Sequence, residues 1–263
     1  MKKKVSTLEL LVKRIASITP GTPPSVSAVF RRVVQGYFLS VANLENRRVS
    51  FRLTVVIPSA INPAGAPIRE FTVTSPGVVS NQTVVFDVVG SAADPNAGQK
   101  SIGELSLVTS TLNYKIYQST TFTLEANQTG SLAILPNIGV NASLVANAAL
   151  EIRGYVEIEQ VRNSFFGSPE ANILLTPEIR GTFLDNAWPA VNAADELDFD
   201  QINYALPTAN GGSAYTLDPV RGIIFDDIEI IDVLNPKVLK RLVEDDNKRL
   251  QELKIPITLT LTQ

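Results

Sequence analysis

Histidine and cysteine are both absent from the 263 residues of this chain. Without them there can be no disulfide, thiolate nucleophile, zinc site of the usual kind, Ser-His-Asp triad or imidazole acid–base catalysis. Any catalysis would have to rest on paired carboxylates, lysine, tyrosine or a hard metal held by carboxylates. The missing cysteine leaves the compartment open, because a reduced cytosolic protein and a disulfide-free exported one look alike on this count. Aromatic residues are few, at 7% with a single tryptophan, and charged residues reach only 19% against 44% hydrophobic. That is the balance of a chain that folds rather than of a disordered one. Phosphate-binding loops of the GxGxxG or GxxxxGK[ST] kind are missing as well, and no run approaches the roughly 18 apolar residues of a membrane-spanning helix.

The N-terminal Lys2, Lys3 and Lys4 imitate the charged start of a signal peptide, but Glu9, Lys13 and Arg14 interrupt the apolar run behind them. A cytoplasmic protein, or one exported without a cleaved signal, is therefore expected. Ser6 with Glu9 forms a capping box, Val5 and Leu10 fit a hydrophobic staple, and Leu8, Leu11, Val12 and Ile15 share one helical face. These signals predict an N-terminal helix. Residues 19–25, TPGTPPS, cannot continue it and read as a linker, so 1–25 is expected to be a helical arm.

From Val26 the period changes to two. Two strands are predicted around a turn at Asn43–Asn46, the second with Val49, Phe51, Leu53 and Val55 on one face. Further strands are predicted at Glu70–Thr74, Thr83–Val89, Gly103–Val108, Thr111–Glu125, Ser131–Leu135, Leu150–Val161, Arg180–Leu184 and Ile223–Val233. The expected fold is mainly β, a β-sandwich of jelly-roll or immunoglobulin-like type whose core spans 26–162. Residues 163–222 read as an irregular insertion or subdomain, and 223–263 as a strand, a helix and a terminal strand returning to the sheet. In that helix Asn235 caps, Pro236 follows, and Leu239, Leu242, Val243, Leu250 and Leu253 line one face. In the last strand Ile255, Ile257, Leu259 and Leu261 alternate with threonines.

Carboxylate pairs are the only catalytic candidates. A strand over Ile223–Val233 would set Asp227 and Glu229 on one face about 7 Å apart, a spacing open to a glycosidase pair, a hard-cation site or a solvated face that discourages edge pairing. Asp198 and Asp200, with Glu196, suggest a calcium site, yet Ile202 stands at the next ligand position of the EF-hand pattern and the turn glycine is missing. Carbohydrate binding would need an exposed ring, for which Trp188, Tyr204 and Tyr215 are the candidates in irregular sequence.

Charge is distributed unevenly. Residues 1–60 hold ten Lys/Arg against Glu9 and Glu45, a net of +8, whereas 185–232 hold ten Asp/Glu against Arg221, a net of −9. Such a chain can pair with itself. The basic part lacks aromatic interleaving and any recognisable motif, so nucleic acid is not an expected partner. The leading expectation is a non-catalytic structural protein that self-assembles into a homo-oligomer, a ring, filament or shell. Its terminal elements would supply the interface: Leu8, Leu11, Val12 and Ile15 at one end, and Leu239, Leu242, Val243, Leu250, Leu253, Ile257, Leu259 and Leu261 at the other. No cofactor is expected under this reading. The alternatives are a calcium- or carbohydrate-binding module and, third, a carboxylate-based glycoside hydrolase.

Overall fold

The computed structural model describes residues 2–15, 31–59, 68–69, 71, 83–89, 101–138, 141–147, 150–161, 169–184 and 201–218. Within them the protein is mainly β. The strands are β1 (Lys3–Arg14), β2 (Arg32–Asn43), β3 (Val49–Pro58), β4 (Val84–Val89), β5 (Ser101–Gly103), β6 (Leu105–Ser110), β7 (Tyr114–Ser119), β8 (Phe122–Leu124), β9 (Thr129–Pro136), β10 (Leu150–Val161), β11 (Ala171–Leu184), β12 (Gln201–Ala205) and β13 (Ala214–Leu217). A single helix, α1 (Ala142–Asn147), stands among them. The turn between β2 and β3 is built on Asn43, whose buried amide donates to the carbonyls of Arg47 and Glu125, both at 2.8 Å.

The N-terminal helix expected over residues 6–15 is not what forms: this segment is strand β1. It pairs antiparallel with β10 from Lys3 to Val12, and with β2 from Leu11 to Arg14. Both of its edges are thus used, and Leu8, Leu10 and Val12 enter the core. A capping box satisfies two backbone donors, whereas the strand satisfies a ladder on each side and buries a full face, so tertiary packing outweighs the local signal. A bulge between Lys4 and Ser6 turns the Val5 carbonyl out of the ladder, where it accepts from Ala209 N at 2.7 Å and Tyr215 Oη at 3.4 Å.

The segment expected to be irregular also contributes strands. β11 runs beside β2 over twelve residue pairs, from Ile173–Asn43 to Leu184–Arg32, and carries β13 and β12 on its other edge. Pro177 is accommodated because it falls where the partner on that edge changes, between the end of the β13 pairing, with Leu175 N donating to the Ser213 carbonyl at 2.8 Å, and the start of β12 at Glu178. The Pro177 carbonyl faces the same edge and accepts from Leu206 N at 2.9 Å, so the missing proline N–H interrupts no ladder. The linker at 19–25, the C-terminal helix and the final strand lie outside the described residues.

The named strands pair antiparallel throughout, in the order β5-β4-β9-β2-β1-β10-β3-β7-β6. With β11 along one edge of β2, β1 and β9 share the other: β1 takes Arg32–Gln35 and β9 takes Tyr37–Ala42. Gly36 sits at this fork, where a Cβ would come within 2.6 Å of Leu135 Cδ2 and 3.0 Å of the Ile134 carbonyl oxygen. Val34 lies opposite Val12, whereas Tyr37 lies opposite Ile134. Because side chains alternate, opposite faces of β2 supply the core on either side of the fork, and both sides belong to one cluster.

The two ends of the strand path, β5 and β6, are joined through Glu104 alone. The sheet must therefore curl until its ends nearly meet. Phe51 packs against Phe122 at 5.6 Å between ring centroids, and the Tyr37 hydroxyl meets Ser6 Oγ at 2.9 Å inside this curl.

Candidate functional site

The residues singled out in the sequence fall into three groups. Leu8 and Val12 are buried in the core of their own chain, while Leu11 is half-buried on the outer face and Ile15 is exposed at the end of β1. Tyr215 is buried against Val5, and Tyr204 is exposed on β12. Trp188, Asp198, Asp200, Asp227, Glu229 and the C-terminal set Leu239, Leu242, Val243, Leu250, Leu253, Ile257, Leu259 and Leu261 lie outside the described residues. Among the described residues no group of three or more Asp or Glu side chains is arranged to hold a metal ion, and no helix is long and apolar enough to cross a membrane.

Much of the basic charge near the N-terminus is matched internally. Lys13 Nζ donates to Glu151 at 3.0 Å, and Arg153 bridges Glu9 at 2.8 Å and Glu151 at 3.3 Å. Arg48 pairs with Glu125, and the Arg47 guanidinium donates to the carbonyls of Pro169 and Glu170.

Two surface features stand out, and they adjoin. The first is the β6–β7 hairpin. Leu105 to Tyr114 contains no charged residue; Leu105 is buried, but three other apolar side chains face water, Leu112 at 97% exposed and Leu107 and Val108 at 49% each. A bulge between Leu107 and Thr109 leaves Val108 as the extra residue. The turn is held by Thr111, whose hydroxyl accepts from Asn113 N and Tyr114 N and donates to the Tyr114 carbonyl, while Ser59 Oγ donates to the Thr111 carbonyl at 2.7 Å. Among the described residues, β6 has a strand on one side only.

The second is a cleft of about 530 Å³ over β3, β7 and β10, lined by Val56, Ile57, Pro58, Asn113, Tyr114, Ile116, Gly154, Tyr155 and Glu157. Register explains its composition: Tyr155 lies opposite Val56 and Val56 opposite Ile116, with Tyr114 opposite Pro58 one step further along. Gly154 is required there, since a Cβ would stand 2.2 Å from the Val56 carbonyl oxygen. Lys4, from β1, places its ammonium 5.1 Å from the Tyr155 ring centroid. Burial, with the nearby Glu157 charge and Tyr114, raises the Tyr155 phenol above its usual value, so it stays protonated at neutral pH. Sequence reasoning missed both features. The uncharged ten-residue run was a usable signal for the first; the second depends on cross-strand register.

No family model and no curated protein matches the chain. Solved structures that resemble it include the viral chemokine-binding protein R17 encoded by rodent gammaherpesvirus Peru, at 7% identity and a TM-score of 0.21, covering 76% of this chain. The chain spans 63% of that protein's length. Another is the delta-toxin of Clostridium perfringens, at 9% identity and a TM-score of 0.13, covering 85% of this chain and 94% of the toxin. Likeness this slight supports no inference about fold or activity.

Proposed function

We propose that this protein is a non-catalytic structural protein that assembles with copies of itself, with the curled sheet serving as a β-sandwich whose edges join subunits. The observation that carries this reading is the β6 edge. It is uncharged, and of the devices with which monomeric β proteins blunt such an edge it carries no lysine, no proline and, among the described residues, no covering helix; it does carry a bulge at Val108, and Leu107, Val108 and Leu112 project from its hairpin into water. β12 offers a second uncharged edge, Gln201–Ala205, paired only with β11 among the described residues. Addition of β6 of one copy to β12 of the next is a head-to-tail contact, which closes into a ring or propagates as a filament. Internal pairing of Lys3, Lys13, Arg47 and Arg48 moves the weight from charge attraction to this edge.

Light scattering on the full chain and on the Leu107→Lys/Val108→Lys double variant tests the reading. The wild type is expected as a multi-subunit particle that persists in high salt, and the variant as a folded monomer. A wild-type monomer, or a variant of unchanged mass, overturns it.

A further inference from the structure

The cleft on the outer face of β10 has a composition that edge assembly does not use. Its floor is apolar, Val56 and Ile116, and two tyrosines stand over it, Tyr114 being 41% exposed. Lys4 and the cleft walls approach Tyr155 from opposite edges of β10, because β1 pairs on one side and β3 on the other. The ring thus stands between the Lys4 ammonium and the open cleft. Among the described residues, neither the Glu157 carboxylate nor the Asn113 side-chain amide has a hydrogen-bond partner, although both border the cavity. The volume falls within the range of small-molecule sites, about 300–1,000 Å³.

The charge balance selects the ligand class. Lys4 and Glu157 are register partners across β1 and β10, and the Lys4 ammonium lies at the Tyr155 ring, so one ammonium and one carboxylate border the site and neither an anion nor a cation is favoured as a whole. What remains is an aromatic platform beside a mixed set of acceptors and donors: carboxylate, amide and two phenols. A molecule with flat C–H faces and a rim of hydroxyls meets both requirements, since its faces stack on the rings while its rim hydrogen-bonds. We propose that this cleft binds a neutral saccharide, with Tyr114 and Tyr155 as the stacking surface and Glu157 and Asn113 as hydrogen-bonding groups.

The test is a glycan array of neutral and acidic oligosaccharides probed with the full-length protein, followed by calorimetry on any hit. At least one neutral glycan is expected to bind, with or without a chelator. Tyr114→Ala and Glu157→Gln are each expected to weaken it about tenfold, the worth of one stacked ring or one lost polar contact. Leu44→Ala, exposed in the turn between β2 and β3, is expected to leave binding unchanged. Thermal unfolding verifies that each variant is folded; Asn113→Ala, at an exposed turn, serves in place of any that is not. The Leu107→Lys/Val108→Lys variant should still bind, which separates this site from the assembly edge. An array with no neutral hit, binding confined to acidic glycans, or binding that survives both cleft variants would each overturn the proposal.

Discussion

Glu151 shows how much a single position depends on its neighbours. Its carboxylate receives a hydrogen bond from Lys13 and lies near the charges of Arg153 and Arg69, which together outweigh its burial and hold it below the usual carboxylate value. A carboxylate with a lowered folded pKa contributes stability above its unfolded value, and that contribution is lost as pH falls through the folded one. Denaturant midpoints measured across roughly pH 5 to 3 should therefore fall less steeply in Glu151→Gln than in the wild type; parallel curves would show that the contact carries nothing. Nothing in the sequence joins Lys13 to Glu151, which stand 138 positions apart. The same holds for Gly154, where the need for glycine comes from the Val56 carbonyl of another strand.

At the level of elements, β1 is the instructive case. Ser6, Glu9, Leu8, Leu11, Val12 and Ile15 compose a consistent helical pattern, and Leu8, Leu10 and Val12 also alternate as a strand; Leu11 is the residue that blurs the two. The structure turns Leu8 inward and Leu11 outward. Leu8→Ala should then cost about 2–5 kcal/mol, whereas Leu11→Ala, half-buried on the outer face, should cost only about 1 kcal/mol. A helical arm would make the two alike, so equal costs in chemical denaturation would contradict the strand. β11 poses the reverse problem, since only its end, Arg180–Leu184, is predicted as a strand within a segment that reads as irregular, whereas the strand runs from Ala171 through Pro177. Only the change of partner from β13 to β12 explains why the proline is tolerated.

Across the whole molecule, the sheet is built from pairs distant in sequence: β1 with β10, and β2 with β11. Such topologies form slowly, because loop closure precedes the contacts that reward it. β1 bridges β2 and β10 in the middle of the strand path, so removing residues 1–15 should abolish cooperative unfolding rather than trim an appendage. A truncated chain with a sharp denaturation transition near that of the wild type would show the strand to be dispensable. The same curl leaves β6 at one end of the path, with an uncharged edge that has no partner strand among the described residues.

The sequence by itself determined the mainly β character, through alternation at Val49–Val55 and Leu150–Val161, and it removed histidine and cysteine chemistry, because those depend on residue type and local period alone. It also held the uncharged run Leu105–Tyr114 in plain view. Tertiary structure decided that residues 3–14 are a strand, that β2 forks at Gly36, that β6 is an edge, and that Tyr114 and Tyr155 meet over one cleft. Each of these is set by hydrogen-bond partners and packing surfaces lying tens of residues or more away, where local propensity has no influence.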